Sequence, residues 1–325
     1  MLAQITLPGP RLSVSAVGFG CGGLMQSPSR KERMAVLGSA IDSGMTHFDT
    51  ARMYGLGMAE AELGAFLRMR TVDRSSVTIA TKFGIDVGGI VQGLARFQAP
   101  ARALLRKVPA LRAAVKGRQK PTVDTARVYD AATASRSLDQ SLTALGVDYV
   151  DILFVHGPQP SDIVAADELR QFFESAHEKG KIRAWGVSQD EGLDMNFAEL
   201  FAPVGVDQLR GDLLHPPPRS ADITFGVLDR PHRMLSAALK ADYRLTARWR
   251  DALQLDPLAP GVLAKLILGS AAGATDSRAI LYSTTKPERI GEAAQAVSSP
   301  YDAQTLAQFR GLAEEFRRER RDPAV

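Results

Sequence analysis

The sequence predicts an α/β protein, a single (β/α)8 TIM barrel with an N-terminal hairpin and an extended loop after the third strand. Three observations predict it. After the hairpin, apolar strand-like runs alternate with helix-patterned stretches eight times. No Pro/Gly/Ser-rich linker divides the 325 residues, so 1–325 is expected to form one domain carrying an insertion at about 86–123. Three successive strands end in Asp49, Lys82 and His156, and parallel neighbouring strands would bring those ends to one rim.

Taken in order, Gln4 to Val14 reads as a hairpin around Pro8-Gly9. Ser15 to Phe19 is the first barrel strand, followed by the loop Gly20-Cys21-Gly22-Gly23. That loop holds a G-x-G pattern only in fragments, and no acid stands at ribose-binding distance, so a doubly wound dinucleotide fold is unsupported. Ser29 to Ser43 is a helix with Met34, Leu37, Ala40 and Ile41 on one face and Gly44 as its stop. Thr46 to Asp49 is a strand, Ala59 to Leu67 a helix, and Val77 to Lys82 the third strand. After the insertion come a helix from about Asp130 to Leu145, a strand to Val155, a helix Ala166 to Lys179 and a strand Ile182 to Val187. A short helix Phe197 to Phe201, strands Val204 to Leu209 and Ile223 to Val227, and helical stretches from about Pro231 to Leu255 follow. Helix Pro260 to Ser270, strand Ala279 to Tyr282, and helices Pro287 to Ala296 and Ala303 to Arg320 complete the pattern.

With 45% hydrophobic residues and a mean hydropathy of −0.09 the chain has ample material for a core. The start, Met1 to Thr6, lacks the basic residues and apolar run of a signal peptide. No apolar run approaches the ~20 residues that span a bilayer, so a cytoplasmic protein without a membrane span is expected. A net charge of +4 and a pI near 9.2 raise nucleic-acid binding as a possibility. The excess is local, however: between Asp86 and Lys120 lie eight basic residues and one acid, which leaves the rest of the chain net negative. No nucleic-acid partner is expected, and the oligomeric state is not legible. The single Cys21 excludes a disulfide framework and a cysteine metal cluster, and reads as a packing residue.

The chemistry concentrates in Phe48-Asp49-Thr50-Ala51-Arg52-Met53-Tyr54-Gly55, where a strand end delivers a carboxylate and, five residues on, a phenol. A carboxylate in a barrel mouth needs a cationic partner, and Lys82 is the candidate. A phenol is a poor acid at neutral pH, and an adjacent ammonium is expected to lower its pKa. The imidazole of His156 can hydrogen-bond a carbonyl oxygen. Asp49, Tyr54, Lys82 and His156 together suit proton donation to a carbonyl, but reduction of carbon also requires a hydride, which implies a nicotinamide cofactor. No histidine pair has metal-ligand spacing, Lys82 would repel a cation, and no G-x-S-x-G elbow supports a hydrolase.

These residues resemble the aldo-keto reductases. The similarity covers Val17 to Gly22, Phe48 to Ala51 with Tyr54-Gly55, Thr81-Lys82-Phe83, Ser137-Leu138, Leu145 to Asp151, His156, Gly180 to Arg183 and Gly186-Val187-Ser188. It implies a barrel that uses NADPH or, in some members, NADH. The catalytic tetrad of that family falls on Asp49, Tyr54, Lys82 and His156. The carboxamide-holding positions fall on Ser188, Gln189 in place of an Asn, and Gln208, and the nicotinamide-stacking position on Phe225 in place of a Tyr. Ser283, Thr284, Arg289 and Glu292 resemble the segment that grips the adenosine phosphate, with Ala293 where an adenine-facing Asn is usual. Arg289 would fork onto a 2′-phosphate near the amides of a helix start, which favours NADPH over NADH.

Met25, Met53, Phe83 and Pro158 are expected around a mostly apolar substrate pocket. The insertion should emerge at the same rim, and its Ala101 to Lys116 stretch could be a lid, a collector of anionic substrates, a membrane-surface helix or a solvated loop. The expected function is NAD(P)H-dependent reduction of a small-molecule aldehyde or ketone, or oxidation of the alcohol. The alternatives are a regulatory or binding barrel with weakened cofactor use and a non-redox lyase.

Overall fold

A computed structural model describes residues 2–86, 126–163, 165–190, 205–273 and 277–321. The insertion beyond Asp86 and the expected helix Phe197 to Phe201 lie outside them. The chain begins with an antiparallel hairpin, β1 (Gln4–Thr6) and β2 (Ser13–Ser15), with Ile5 opposite Val14. Leu7 and Val14 are fully buried and pack with the barrel interior, closing its lower end.

Eight parallel strands close the barrel. They are β3 (Val17–Gly20), β4 (His47–Asp49), β5 (Thr78–Phe83), β8 (Val150–His156), β9 (Ile182–Gln189), β10 (Gly205–Arg210), β11 (Ala221–Phe225) and β12 (Ser277–Tyr282). β12 pairs with β3 and completes the ring. Between β5 and β8 a short ribbon, β6 (Ile85–Asp86) and β7 (Ala126–Arg127), pairs antiparallel above the rim.

Successive side chains of a strand point to opposite faces. Ala80, Ile152, Phe154, Ala184, Val206, Ile223, Ala279 and Leu281 therefore fill the interior as one cluster. Ile79, Phe83, Leu153, Val155 and Val187 face outward and meet the helices. The same parity places Lys82, His156, Ser188, Gln208 and Phe225 on the inner face, above that plug.

Among the described residues the α-helices are α1 (Arg30–Asp42), α2 (Met58–Met69), α3 (Ala131–Leu145), α4 (Ala166–Glu178), α5 (Asp229–Ala241), α6 (Tyr243–Leu253), α7 (Val262–Ala272), α8 (Pro287–Ser298) and α9 (Ala303–Arg321). α1 is capped as the sequence implies, Ser29 Oγ accepting from the Glu32 amide. Its buried face is rotated, however, to Arg33, Val36, Leu37 and Ala40. Met34 and Ile41 only flank it. Arg33 can be buried because it meets Glu62 at 3.2 Å and donates to the Ser27 carbonyl, a paired charge that apolar periodicity does not reveal. The expected Gly20 to Gly23 loop is the start of a 3-10 helix, Cys21–Gln26, with Cys21 buried in the core. The long helical stretch expected after β11 breaks at Asp242, whose carboxylate caps α6 by accepting from the Arg244 and Leu245 amides. α2 and α3 approach so closely at Gly64 that a Cβ there would lie 2.0 Å from the Leu145 carbonyl oxygen.

A fully buried carboxylate fixes the lower half of β8. Asp151 accepts from Arg74 (2.6 Å), Arg183 (3.1 Å) and the Ile79 amide (2.8 Å). The two guanidinium groups also sit 4.1 and 4.4 Å from the Tyr149 ring centroid. Removing one member of such a buried set deprives the others of a partner. Because Arg74 and Arg183 are partly exposed and keep other acceptors, Asp151→Ala is expected to lower the unfolding free energy by about 1–3 kcal/mol, read as a fall in the urea midpoint with little change in slope.

Candidate active site

Asp49 is the last residue of β4, and Tyr54 follows in a turn closed by its own amide on the Ala51 carbonyl (3.0 Å). Three left-handed residues, Gly55 (φ 59°), Leu56 (φ 57°) and Gly57 (φ 86°), then redirect the chain into α2. Met25 packs so tightly behind this turn that a Cβ on Gly55 would fall 2.1 Å from its Cγ. It therefore backs the Tyr54 turn and does not line a pocket.

Lys82 Nζ makes three contacts: Asp49 Oδ1 at 2.5 Å, the Thr50 carbonyl at 3.0 Å and Tyr54 Oη at 3.4 Å. The other Asp49 oxygen accepts from Gln208 Nε2 (2.8 Å), and Gln208 Oε1 accepts from Ser188 Oγ (2.5 Å). A buried chain of polar groups thus runs Ser188, Gln208, Asp49, Lys82, Tyr54. His156 stands edge-on to the phenol, ring centroids 5.9 Å apart at 88°. Its backbone is held by Tyr129 Oη on the His156 carbonyl (2.7 Å). Register aligns the set, since Ser188 lies opposite both His156 and Gln208.

Burial and charge set the protonation states. Burial opposes charge on Lys82, but Asp49 and Tyr54 together hold its pKa above the ordinary value, so it is an ammonium. Burial, then the cations Lys82 and Arg127, push the His156 imidazole down to about 3, so it is neutral. Tyr54 departs from the sequence expectation. Burial raises its pKa by more than Lys82 lowers it, so the net shift is upward. The phenol is protonated at neutral pH.

One cavity of ≈ 850 Å³ opens over these groups. Beside the phenol and imidazole its wall includes Met53, Ile85, Arg127 and Gln159; across the barrel mouth it includes Ser188, Gln208, Phe225, Ser283, Thr284, Arg289 and Glu292. Four expected residues are absent from that wall. Phe83 follows Lys82 and so faces outward, packing on Phe173 at 6.1 Å between ring centroids. Gln189 likewise follows Ser188 and faces outward, its Oε1 accepting from Arg219 (3.3 Å). Pro158 is buried and leaves Gln159 as the wall residue. Met25 lies behind Gly55. Ala293, too, is buried in the core.

Several wall residues were not anticipated. Asp190 and Arg210 line the cavity and pair at 3.3 Å. Each lies two residues beyond an inner-face position, Ser188 and Gln208, so strand parity was a usable signal. His232, in the first turns of α5, and Arg127, beyond the insertion, carry no comparable signal.

The side of the wall toward β12 has a donor set suited to a phosphorylated dinucleotide. Ser283 Oγ donates to the Gly20 carbonyl (2.7 Å), and Thr284 Oγ1 accepts from the Lys286 amide (3.2 Å), which shapes the turn into α8. Arg289 projects from the first turn of α8 and has no carboxylate within ion-pairing distance among the described residues. Its charge, after burial, lowers the His232 imidazole pKa. Gly20 and Gly22 line the cavity too, and a Cβ on Gly20 would fall 2.5 Å from Ser283 Oγ, so its absence leaves room for that hydroxyl. Among the described residues no cluster of three His, Cys, Asp or Glu is arranged to hold a metal, and no helix is long and apolar enough to cross a membrane.

The closed parallel barrel gathers an Asp, a Lys, a Tyr and a His at its upper rim, the end at which barrels of this class carry their functional residues. The chain belongs to the aldo-keto reductase family: the family model described as "Aldo/keto reductase family" matches residues 16–214. That match ends before Phe225, Thr284 and Arg289. The chain is similar to D-threo-aldose 1-dehydrogenase of Pseudomonas sp, 31% identical over 190 residues, covering 56% of this chain and 50% of that protein. It is similar also to the aldo-keto reductase yakc [NADP(+)] of Schizosaccharomyces pombe, 28% identical over 200 residues, covering 61% and 49%. In both, the matched part spans about half the length of the relative. Among solved structures, aldo-keto reductase AKR11C1 from Bacillus halodurans in its holo form superposes with a TM-score of 0.64 at 17% identity, covering 96% of each chain. The thermostable aldo-keto reductase Tm1743, in complex with epalrestat, gives 0.63 at 19% identity, covering 96% and 99%. At such identities these two show the fold alone.

The buried imidazoles give stability a pH dependence. His47, the first residue of β4 and fully buried, is pushed down to about 4 by burial, and the partly exposed His156 to about 3 by burial and then by the cations Lys82 and Arg127. An unfolded imidazole titrates near ~6.5, so below that pH the unfolded chain binds more protons. The contribution is complete above about 6.5 and is lost as the pH falls toward the folded values. The urea-derived stability at pH 5 should lie below that at pH 7.5 by on the order of 2 kcal/mol per buried histidine; a flat profile would contradict the assignment.

Proposed function

We propose that the protein is an NAD(P)H-dependent oxidoreductase that interconverts an aldehyde or ketone with its alcohol, Tyr54 being the proton donor. One observation carries the reading. The buried chain from Ser188 through Gln208, Asp49 and Lys82 ends on the Tyr54 hydroxyl, and phenol and His156 open together into the cavity that extends to Thr284 and Arg289. A carbonyl oxygen resting between the phenol and the neutral imidazole would accept a hydrogen bond from each. The upward shift of Tyr54 keeps the proton available until the oxygen becomes an alkoxide. The Lys82 ammonium then stabilises the phenolate that remains, and solvent restores the proton. A bound nicotinamide supplies the hydride in reduction and accepts it in the reverse direction.

For that cofactor Ser188 and Gln208 have hydrogen-bonding capacity left for a carboxamide, since Gln208 retains one N–H and one lone pair beyond the bonds described. Phe225 offers a ring face at the cavity wall. Ser283, Thr284, Arg289 and Glu292 would hold the adenosine end, with Arg289 on the 2′-phosphate, which favours NADPH over NADH. The fission-yeast relative, the aldo-keto reductase yakc [NADP(+)], supports the same choice. Gln189 has no part in this reading, because its side chain lies outside the barrel.

Tyr54→Phe should abolish turnover of an aldehyde such as 4-nitrobenzaldehyde while NADPH binding, followed by fluorescence titration, stays close to that of the wild type. Undiminished turnover would refute the assignment of the proton donor. Failure of NADPH to bind the wild type at all would favour a regulatory barrel. Arg289→Ala should weaken NADPH roughly tenfold or more, as loss of a charge-assisted contact does, with little change for NADH; equal loss for both would remove the 2′-phosphate role.

A further inference from the structure

The substrate side of the cavity is less apolar than the sequence implied. Phe83, Met25 and Pro158 are off the wall, and beside Met53 and Ile85 stand Arg127 and Gln159. Arg127 closes β7, opposite Ile85 in the ribbon above the rim. Its Nη1 donates to the carbonyl of Gly157 (3.0 Å), the residue after His156, so one arm of the guanidinium is pinned next to the imidazole. Asp162, the acid of the adjoining turn, is committed to the Gln159 amide (2.7 Å). Among the described residues no carboxylate pairs with Arg127.

The neighbouring charges differ in this respect. Asp49 is matched by Lys82, Arg210 by Asp190 and Asp229 by Arg233, while Arg289 and Glu292 stand across the barrel mouth at the adenosine end of the proposed cofactor site. The acid-base pair is therefore flanked by an exposed cation, held through the Gly157 carbonyl and the Tyr129 side chain, whose charge already reaches the imidazole, where it favours the neutral form. A neutral carbonyl compound makes no use of that cation. A guanidinium fork with free N–H groups is matched by a carboxylate or phosphate.

We infer that Arg127 is a specificity-determining residue that selects carbonyl substrates carrying an anionic group, a carboxylate or a phosphate, a short spacer away from the reacting carbon. The inference rests on the carbonyl-reductase reading above. Its test is the ratio of kcat/KM for 4-carboxybenzaldehyde over its neutral methyl ester, with glyceraldehyde 3-phosphate over glyceraldehyde to distinguish phosphate from carboxylate. One or both ratios should reach roughly tenfold in the wild type, as expected of one charge-assisted contact. The preference should fall to near unity in Arg127→Gln, be partly kept in Arg127→Lys, and narrow in about 0.5 M salt. Ratios near unity in the wild type, or a preference that survives Arg127→Gln, overturn the inference and leave carbonyl reduction standing. Absence of any aldehyde reduction overturns the reading beneath it. Calorimetric titration of 4-carboxybenzyl alcohol and its methyl ester then still decides the contact: a difference abolished by Arg127→Gln supports it, and no difference overturns it.

Discussion

The site depends on one buried ion pair, Lys82 with Asp49, whose side chains are 1% and 4% exposed. Removing two charges from water costs several kcal/mol for each ion, and mutual attraction offsets this only when the remaining hydrogen-bonding capacity is also filled. The surroundings meet that condition. Lys82 has the Thr50 carbonyl and the Tyr54 hydroxyl as further acceptors, and Asp49 has the Gln208 amide. Those demands fix the position of the phenol, because Tyr54 must sit where the third ammonium hydrogen points. They also couple the two sides of the mouth, since Gln208 belongs to β10, opposite β4 in the ring, and Ser188 to its neighbour β9.

Parity of the strands explains most of what the residues alone disclosed and most of what they misplaced. The barrel follows from the eight alternations, and the rim set from strand ends, both strong periodic signals. Family resemblance added Ser188, Gln208, Phe225, Thr284 and Arg289, all of which the fold brings to one cavity. Phe83 and Gln189 failed for a shared reason: each is adjacent in sequence to an inner-face residue and therefore faces the helices. Adjacency in a strand separates side chains, whereas a step of two keeps them together, and that step leads to Asp190 and Arg210. Met25 and Pro158 depended on how loops fold over one another, which no local pattern encodes. The sign of the Tyr54 shift depended on how deeply the phenol is buried, a quantity absent from spacing.

The position of Arg127 changes the character of the substrate side. A rim of methionine, phenylalanine and proline would select by area removed from water, which discriminates weakly among small carbonyl compounds. A cation anchored next to the imidazole would, in the role proposed for Arg127, select by charge and direction. It also adds to the field that disfavours protonation of His156, so binding preference and imidazole state are influenced by the same group.

The closure of the barrel has a consequence for how the protein comes into being. β3 and β12 are neighbours in space, and Ser283 bonds to Gly20 across a separation of 263 residues. Until the last strand leaves the ribosome, β3 has one edge without a partner, and the face of α1 that packs on α8 has nothing to cover it. A nascent chain that has made its whole polar rim set, through His156 and Gln208, is thus still an open sheet with an adhesive edge. The interval between synthesis of the chemistry and sealing of the ring is when this chain is most exposed to mispairing, and a binder of exposed strand edges would act on it then.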